Sequence, residues 1–145
     1  MANQEIEEHL QLGNIWHSDL FKETEIGHGK FFVVAGAIDD SVYGYFFINS
    51  HINFNVNRHM EQAELQLEIY NTDYPFLTKD KSFIGAANLE VFPKQKFLES
   101  VTEGKTKWKC MMKEEHIDIL CDKINKSSLY SRRIKRLLFR FGEKK

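Results

Sequence analysis

The stretch from Lys30 to Asn49 constrains this chain more than any other. KFFVVAGAI is a run of aromatic and β-branched residues, Asp39-Asp40-Ser41 supplies turn chemistry, and VYGYFFIN resumes the same pattern. That arrangement predicts a β-hairpin over Lys30 to Asn49. An isolated hairpin is marginal in water, so further strands or helices must cover its apolar face. Strand candidates follow at short intervals. LQLEIY alternates, with Leu65, Leu67 and Ile69 on one face and Gln66, Glu68 and Tyr70 on the other. Ser82-Phe83-Ile84 and Ala87 to Phe92 flank Gly85, Pro93 ends the second of them, and TKWKCM after Gly104 adds a last, weakly alternating strand.

The flanking segments read as helices and loops. Ile6 and Leu10, four apart, fit a short helix over Gln4 to Gln11 ended by Gly13, and Asn14 to Gly29 reads as an irregular lead-in anchored by Trp16, Leu20 and Phe21. SHINFNVNRHM is polar and Asn-rich, as loops are. Lys113 to Lys126 predicts a helix with Ile117, Leu120, Cys121 and Ile124 on one face and Glu114 and Glu115 in the dipole-favoured first turn. A second helix is predicted over 131–141, capped by Ser131, stopped by Gly142, and carrying Ile134, Leu137, Leu138 and Phe141 on one face. The expected class is mainly β (α+β): a small curled antiparallel β-sheet or β-barrel over 30–112 with C-terminal helices at 113–126 and 131–141, in one domain spanning 1–145.

Charge is informative once it is divided by position. The chain carries a formal −1, but Met1 to Asn125 holds 12 basic and 20 acidic residues, a net −8, while Lys126 to Lys145 holds 8 basic and 1 acidic, a net +7. Basic amphipathic helices meet nucleic acid, anionic lipid or acidic proteins. The alternative is that Arg132, Arg133, Lys135, Arg136 and Arg140 form the solvated back of a helix docked on the acidic body. Two widely spaced cysteines give neither a disulfide framework nor a zinc site, and no signal peptide or apolar span is present, which predicts a soluble cytoplasmic protein with reduced thiols and no membrane association. The phosphate-loop, dinucleotide, nucleophile-elbow and His-Glu-x-x-His motifs are missing, and no two of the six His stand two to four residues apart, so neither a metal nor another cofactor is expected.

The chemistry-bearing residues gather around the hairpin. His28 and Lys30 precede its first strand, while Ser50 and His51 follow its second. Antiparallel pairing of a straight hairpin would bring those ends together. A base that titrates near neutrality, a fixed cation and a hydroxyl suit cleavage of a phosphodiester, in which a base removes the 2′-hydroxyl proton and a cation stabilises charge on the phosphorus oxygens. The alternative is a flexible Gly-His-Gly turn followed by a strand-edge lysine.

The order GHGKFFVVAG, acidic turn, YGYFFINS, long loop, KSFIGAANLEVFPKQKF and EEHIDILCDKINKSS resembles the MazF/PemK family of toxin endoribonucleases over roughly Glu23 to Ser128. The resemblance implies a β-barrel of the PemK/CcdB-toxin type, action on single-stranded RNA without metal, an antitoxin partner and a homodimer. It puts Lys30 where that family has the Arg of an Arg-Pro pair, and Ser50 at the hydroxyl after the second hairpin strand. Ile84 to Leu89 reads IGAANL where the family carries an Asp-Gln-x-Arg-like run with an acid and an arginine. On this reading His28 or His51 supplies the missing base, Lys30 or Arg58 the missing cation, and the arginine-rich helix holds the RNA backbone. The family's fold also serves gyrase-poisoning toxins, so resemblance to it leaves open a non-catalytic module for an acidic protein or nucleic acid. The aromatics of YGYFF and DYPF read either as a stacking platform or as core. Large apolar residues on both faces of the second hairpin strand, Tyr45 and Phe47 against Phe46 and Ile48, favour a homodimer through the sheet.

Overall fold

The computed structural model describes residues 2–19, 29–44, 46–50 and 64–142. In chain order its elements are α1 (Asn3–Glu8), β1 (Asn14–Ser18), β2 (Lys30–Val33), β3 (Gly36–Ile38), β4 (Ser41–Gly44), β5 (Phe46–Asn49), β6 (Gln66–Tyr70), β7 (Lys81–Gly85), β8 (Glu90–Pro93), α2 (Lys94–Thr102), β9 (Thr106–Met111), α3 (Glu114–Lys126) and α4 (Arg132–Leu138). They fall into two units, Met1–Tyr45 with Leu89–Lys113, and Phe46–Asn88 with Glu114–Lys145.

In the first unit β1 is the middle strand of an antiparallel β2-β1-β9 ladder. Ile15 faces Val33 and Ser18 faces Lys30 on one side, and Ser18 faces Thr106 on the other. Asn14 to Ser18 is therefore a strand, where sequence had indicated the start of an irregular lead-in. Five residues with only two strong strand formers, Ile15 and Trp16, are too few for alternation to register, and it is bonding on both edges that holds them extended. The remainder of that lead-in, with Leu20 and Phe21, lies outside the described residues.

The predicted hairpin span holds four short strands, β2 to β5. β3 and β4 form its tip, with Ile38 facing Ser41 across Asp39 and Asp40. Asp39 takes the left-handed conformation at φ +52°, which Asp tolerates better than most residues. β4 also pairs with β8. Gly44, at φ +149°, lies so close to the preceding strand that a Cβ would meet the Val34 Cα at 2.7 Å and the Ala35 nitrogen at 2.8 Å. Only glycine allows this approach, and the Ala35 N–H donates to the Tyr43 carbonyl there at 2.8 Å.

Trp16, Phe32 and Phe97 form the centre of the first unit's core. Phe97 meets Trp16 edge-on at 5.0 Å between ring centroids and Phe32 edge-on at 6.4 Å. Phe97 is carried by α2, a helix absent from the sequence reading because a serine occupies the second inward position of its face. Ser100 is buried, its hydroxyl donates to the Phe97 carbonyl at 2.7 Å, and it lies 2.9 Å from the Thr106 hydroxyl, which is itself 2.8 Å from that of Ser18. A short hydroxyl chain thus replaces an apolar contact and ties α2, β9 and β1 together.

In the second unit β7 is the middle strand of an antiparallel β5-β7-β6 ladder, with Ile84 facing both Ile48 and Leu67. Leu65, Leu67 and Ile69 are buried, as their alternation predicts. Helix α3 buries Ile117, Leu120, Cys121 and Ile124, the face expected from its periodicity. The α+β class holds, and the described strands are antiparallel. The barrel does not: among the described residues no closed barrel forms, and within the first unit the strands separate into the β2-β1-β9 and β3-β4-β8 ladders. Among the described residues no helix is long and apolar enough to cross a membrane.

Because Phe97 is buried and meets both Trp16 and Phe32 edge-on, Phe97→Ala should destabilise the protein by about 3–5 kcal/mol. A lowered midpoint in urea denaturation followed by tryptophan fluorescence measures this.

Candidate functional site

Gly29 fixes the entry to β2. A Cβ there would stand 2.5 Å from the Ser18 carbonyl oxygen, 2.6 Å from His17 Cε1 and 2.8 Å from Asp19 Oδ1, so no larger residue fits without displacing β1. Lys30 follows, half-buried, with Ser18 as its cross-strand neighbour. Ser50 is exposed in a bend directly after β5. Lys30 belongs to the first unit and Ser50 to the second. His28, His51 and Arg58 lie outside the described residues.

Sequence reasoning passed over His17. It sits on β1 opposite Phe31 on one side and Lys107 on the other. Its ring meets Phe31 edge-on, with centroids 4.7 Å apart and planes at 62°. His17 and Phe31 are half-buried and Lys107 is exposed. The signal was obscured because a lone His in an unrecognised strand looks like one more scattered histidine, and its neighbours stand fourteen and ninety positions away in the chain.

The basic helix forms, with a shorter span and a different buried face. Ser131 caps it, its hydroxyl accepting from the Ile134 N–H at 3.2 Å, as expected. The helix ends at Leu138 instead of running on to Phe141. Arg140 takes the left-handed conformation at φ +58°, and the Phe141 N–H returns to the Lys135 carbonyl at 3.2 Å. Gly142 is thus not the stop. Phe139 becomes the anchor, fully buried, stacked on Phe46 at 6.1 Å and edge-on to Tyr130 at 5.8 Å, while Leu137 is left 51% exposed.

The five cations of this segment have separate fates. Arg140 donates to Glu114 at 2.6 Å and lies 3.3 Å from Asp118 on α3. Its hydrogen bond to Glu114 holds the guanidinium still more firmly protonated than usual. Lys135 is buried, with its ammonium 5.8 Å from the centre of the Phe141 ring. Arg132, Arg133 and Arg136 are exposed and form no ion pair among the described residues. Docking on the acidic body therefore accounts for Arg140, and three arginines remain facing solvent.

Ile84 to Leu89, the stretch without an acid or arginine, is partly core, with Asn88 exposed. Ile84 and Ala86 are fully buried, and the Tyr130 hydroxyl donates to the Ala86 carbonyl. Burial holds the Tyr130 hydroxyl protonated well above the ordinary tyrosine range. A further polar pair in this unit joins the buried Tyr74 hydroxyl to His116 Nδ1 at 2.7 Å. Among the described residues no group of three or more His, Cys, Asp or Glu is placed to hold a metal ion. No protein-family model matches the chain, and comparison with curated proteins finds no match.

Two outcomes follow from these pairs. Arg140→Gln should cost under about 1 kcal/mol at physiological salt, because the ion pairs are partly solvated, and more at low salt, where screening weakens. Urea denaturation at two ionic strengths tests it. Tyr130 has a raised pKa in the folded state, so its stabilising contribution is complete below the ordinary tyrosine value of 10.0 and is lost as pH rises above it. The thermal midpoint of Tyr130→Phe should accordingly fall less steeply than that of wild type across the alkaline range.

Proposed function

We propose that this protein is a divergent relative of the MazF/PemK toxins that acts as a metal-independent endoribonuclease on single-stranded RNA. One observation supports the reading: Lys30 and Ser50 stand at strand ends. Gly29 is pinned against β1, Lys30 opens β2, Ser50 sits in the bend that ends β5, and α3 follows the last strand. In the proposed reaction His28 or His51 accepts the 2′-hydroxyl proton, the 2′-oxygen bonds to phosphorus, and the 5′-oxygen leaves with a proton from the other imidazole. Lys30 balances charge on the phosphorus oxygens and Ser50 orients them. Arg132, Arg133 and Arg136, with Arg58, follow the RNA backbone. An antitoxin and a second copy of the chain are the protein partners this reading implies, and the cytoplasm is its setting.

A second reading, a non-catalytic binding module, is favoured by the packing at Ile84 to Leu89. IGAANL offers neither acid nor cation, and its Ile84 and Ala86 are fully buried.

Incubation of the pure protein with mixed single-stranded RNA in EDTA separates the two. The first reading expects fragments ending in 2′,3′-cyclic phosphate, and at least about 100-fold slower cleavage by Lys30→Ala and His28→Ala, in line with the loss of a positioned acid, base or charge. Intact RNA, or undiminished cleavage by both variants, would remove the proposed reaction. Replacing Arg132, Arg133 and Arg136 together by Gln should lower the salt slope of RNA binding by about 2, since each contact to a single strand contributes about 0.7.

A further inference from the structure

The β2-β1-β9 ladder carries a row that neither the proposed chemistry nor the core uses. Phe31, His17 and Lys107 are direct cross-strand neighbours on one face, so each column stands about 4.8 Å from the next. The aromatics of the opposite face behave differently: Trp16 and Phe32 are fully buried beneath Phe97. On the row's own face the next pair, Ile15 and Val33, is also fully buried. The face is therefore closed at Ile15–Val33 and opens at His17–Phe31, where two flat rings remain half-buried beside a solvated lysine.

Two further features order the row. Gly29 packs against the edge of the imidazole, at the 2.6 Å approach a Cβ would make to His17 Cε1, and Phe31 meets the same ring edge-on at 4.7 Å. The ring is held from two sides before any ligand arrives, so little side-chain entropy would be lost on binding. Beside it, Lys109 is the extra residue of a bulge opposite Ile15 and Trp16, exposed like Lys107, and neither lysine forms an ion pair among the described residues. Lys105 is held by Glu103 at 2.9 Å and is not counted. Asp19 brings one carboxylate near His17, outnumbered by the two lysines.

We propose that Phe31, His17 and Lys107 form a nucleotide subsite, in which one base of a single-stranded RNA stacks on one of the two rings and meets the other at an angle, and Lys107, aided by Lys109, meets its phosphate. The assignment rests on the preceding reading for the identity of the ligand. Two rings and a cation in adjacent columns match the base and phosphate of one nucleotide, and a base within a duplex could not reach a sheet face in this way. The subsite lies on the opposite face of the ladder from Lys30, whose strand position differs by one from that of Phe31, so it holds the strand and does not touch the reacting bond.

The test is fluorescence anisotropy with a labelled, mixed-sequence 2′-O-methyl decamer, which lacks the attacking hydroxyl and stays intact, and with an abasic strand of the same length. Wild type should bind the base-bearing strand at least about fivefold more tightly than the abasic one, and Phe31→Leu, which keeps an apolar side chain, should lose about 5- to 100-fold for the first and little for the second. Lys107→Gln should lower the salt slope by about 0.7 for both strands. Equal affinity of wild type for the two strands overturns the subsite, as does wild-type binding by a Phe31→Leu protein. If Phe31→Leu unfolds at a lower temperature than wild type, the abasic comparison and Lys107→Gln decide. RNA cleavage together with equal affinity for the two strands would remove the subsite and leave the endoribonuclease reading standing. Neither cleavage nor binding of the decamer would remove both.

Discussion

A short strand hydrogen-bonded on both edges is the constraint on which the first unit depends. β1 buries Asn14, Ile15, Trp16 and Ser18, and their backbone groups must be paired because water cannot reach them. β2 pairs one edge and β9, from ninety residues further along the chain, pairs the other. Trp16 then projects onto α2, and its indole N–H donates to the His9 carbonyl at 3.0 Å, which ties the N-terminal turn to the same strand. His9 in turn stacks on Trp108 of β9 at 4.0 Å, and the Trp108 N–H donates to Asn14 at 2.9 Å. Each tryptophan contributes both apolar area and a satisfied donor, the arrangement in which a large indole is most stably buried.

Electrostatics divides the molecule differently from its sequence. The count of −8 against +7 invites a choice between a self-neutralised tail and a free polycation, and the second unit contains both. Arg140 closes the helix onto Glu114 and Asp118, Lys135 is withdrawn into the unit against Phe141, and Arg132, Arg133 and Arg136 stay exposed. Three solvated arginines on two turns are enough to attract a polyanion and too few to hold one tightly at physiological salt, since each phosphate contact exchanges for condensed counterions. On the proposed RNA reading, contacts to bases would come from flat side chains such as those of the aromatic row on the first unit's sheet.

The candidate site was only partly legible before the fold was known. Lys30 and Ser50 were proposed from turn and strand-end signals, which are local. His17 was not, because its meaning depends on Phe31 and Lys107, brought beside it by strand pairing. Of the expected gathering of His28, Lys30, Ser50 and His51, His28 and His51 lie outside the described residues, and Lys30 stands beside Ser18 in the β1–β2 ladder. The basic helix shows the same limit. Its cap was readable from Ser131, but its end was not, since it turns on Arg140 accepting a left-handed backbone in return for two carboxylate contacts from another helix.

Local pattern alone determined the strand-rich α+β character, the alternation of Leu65, Leu67 and Ile69, the buried face of α3 and the positive charge of the C-terminal segment. These are consequences of periodicity and composition, which survive whatever the rest of the chain does. Tertiary structure decided that Asn14 to Ser18 is a central strand, that Ser100 faces inward, that the strands do not close into a barrel among the described residues, and which arginines are exposed. Those outcomes depend on hydrogen-bond and charge partners distant in sequence, and no local window contains both members of such a pair.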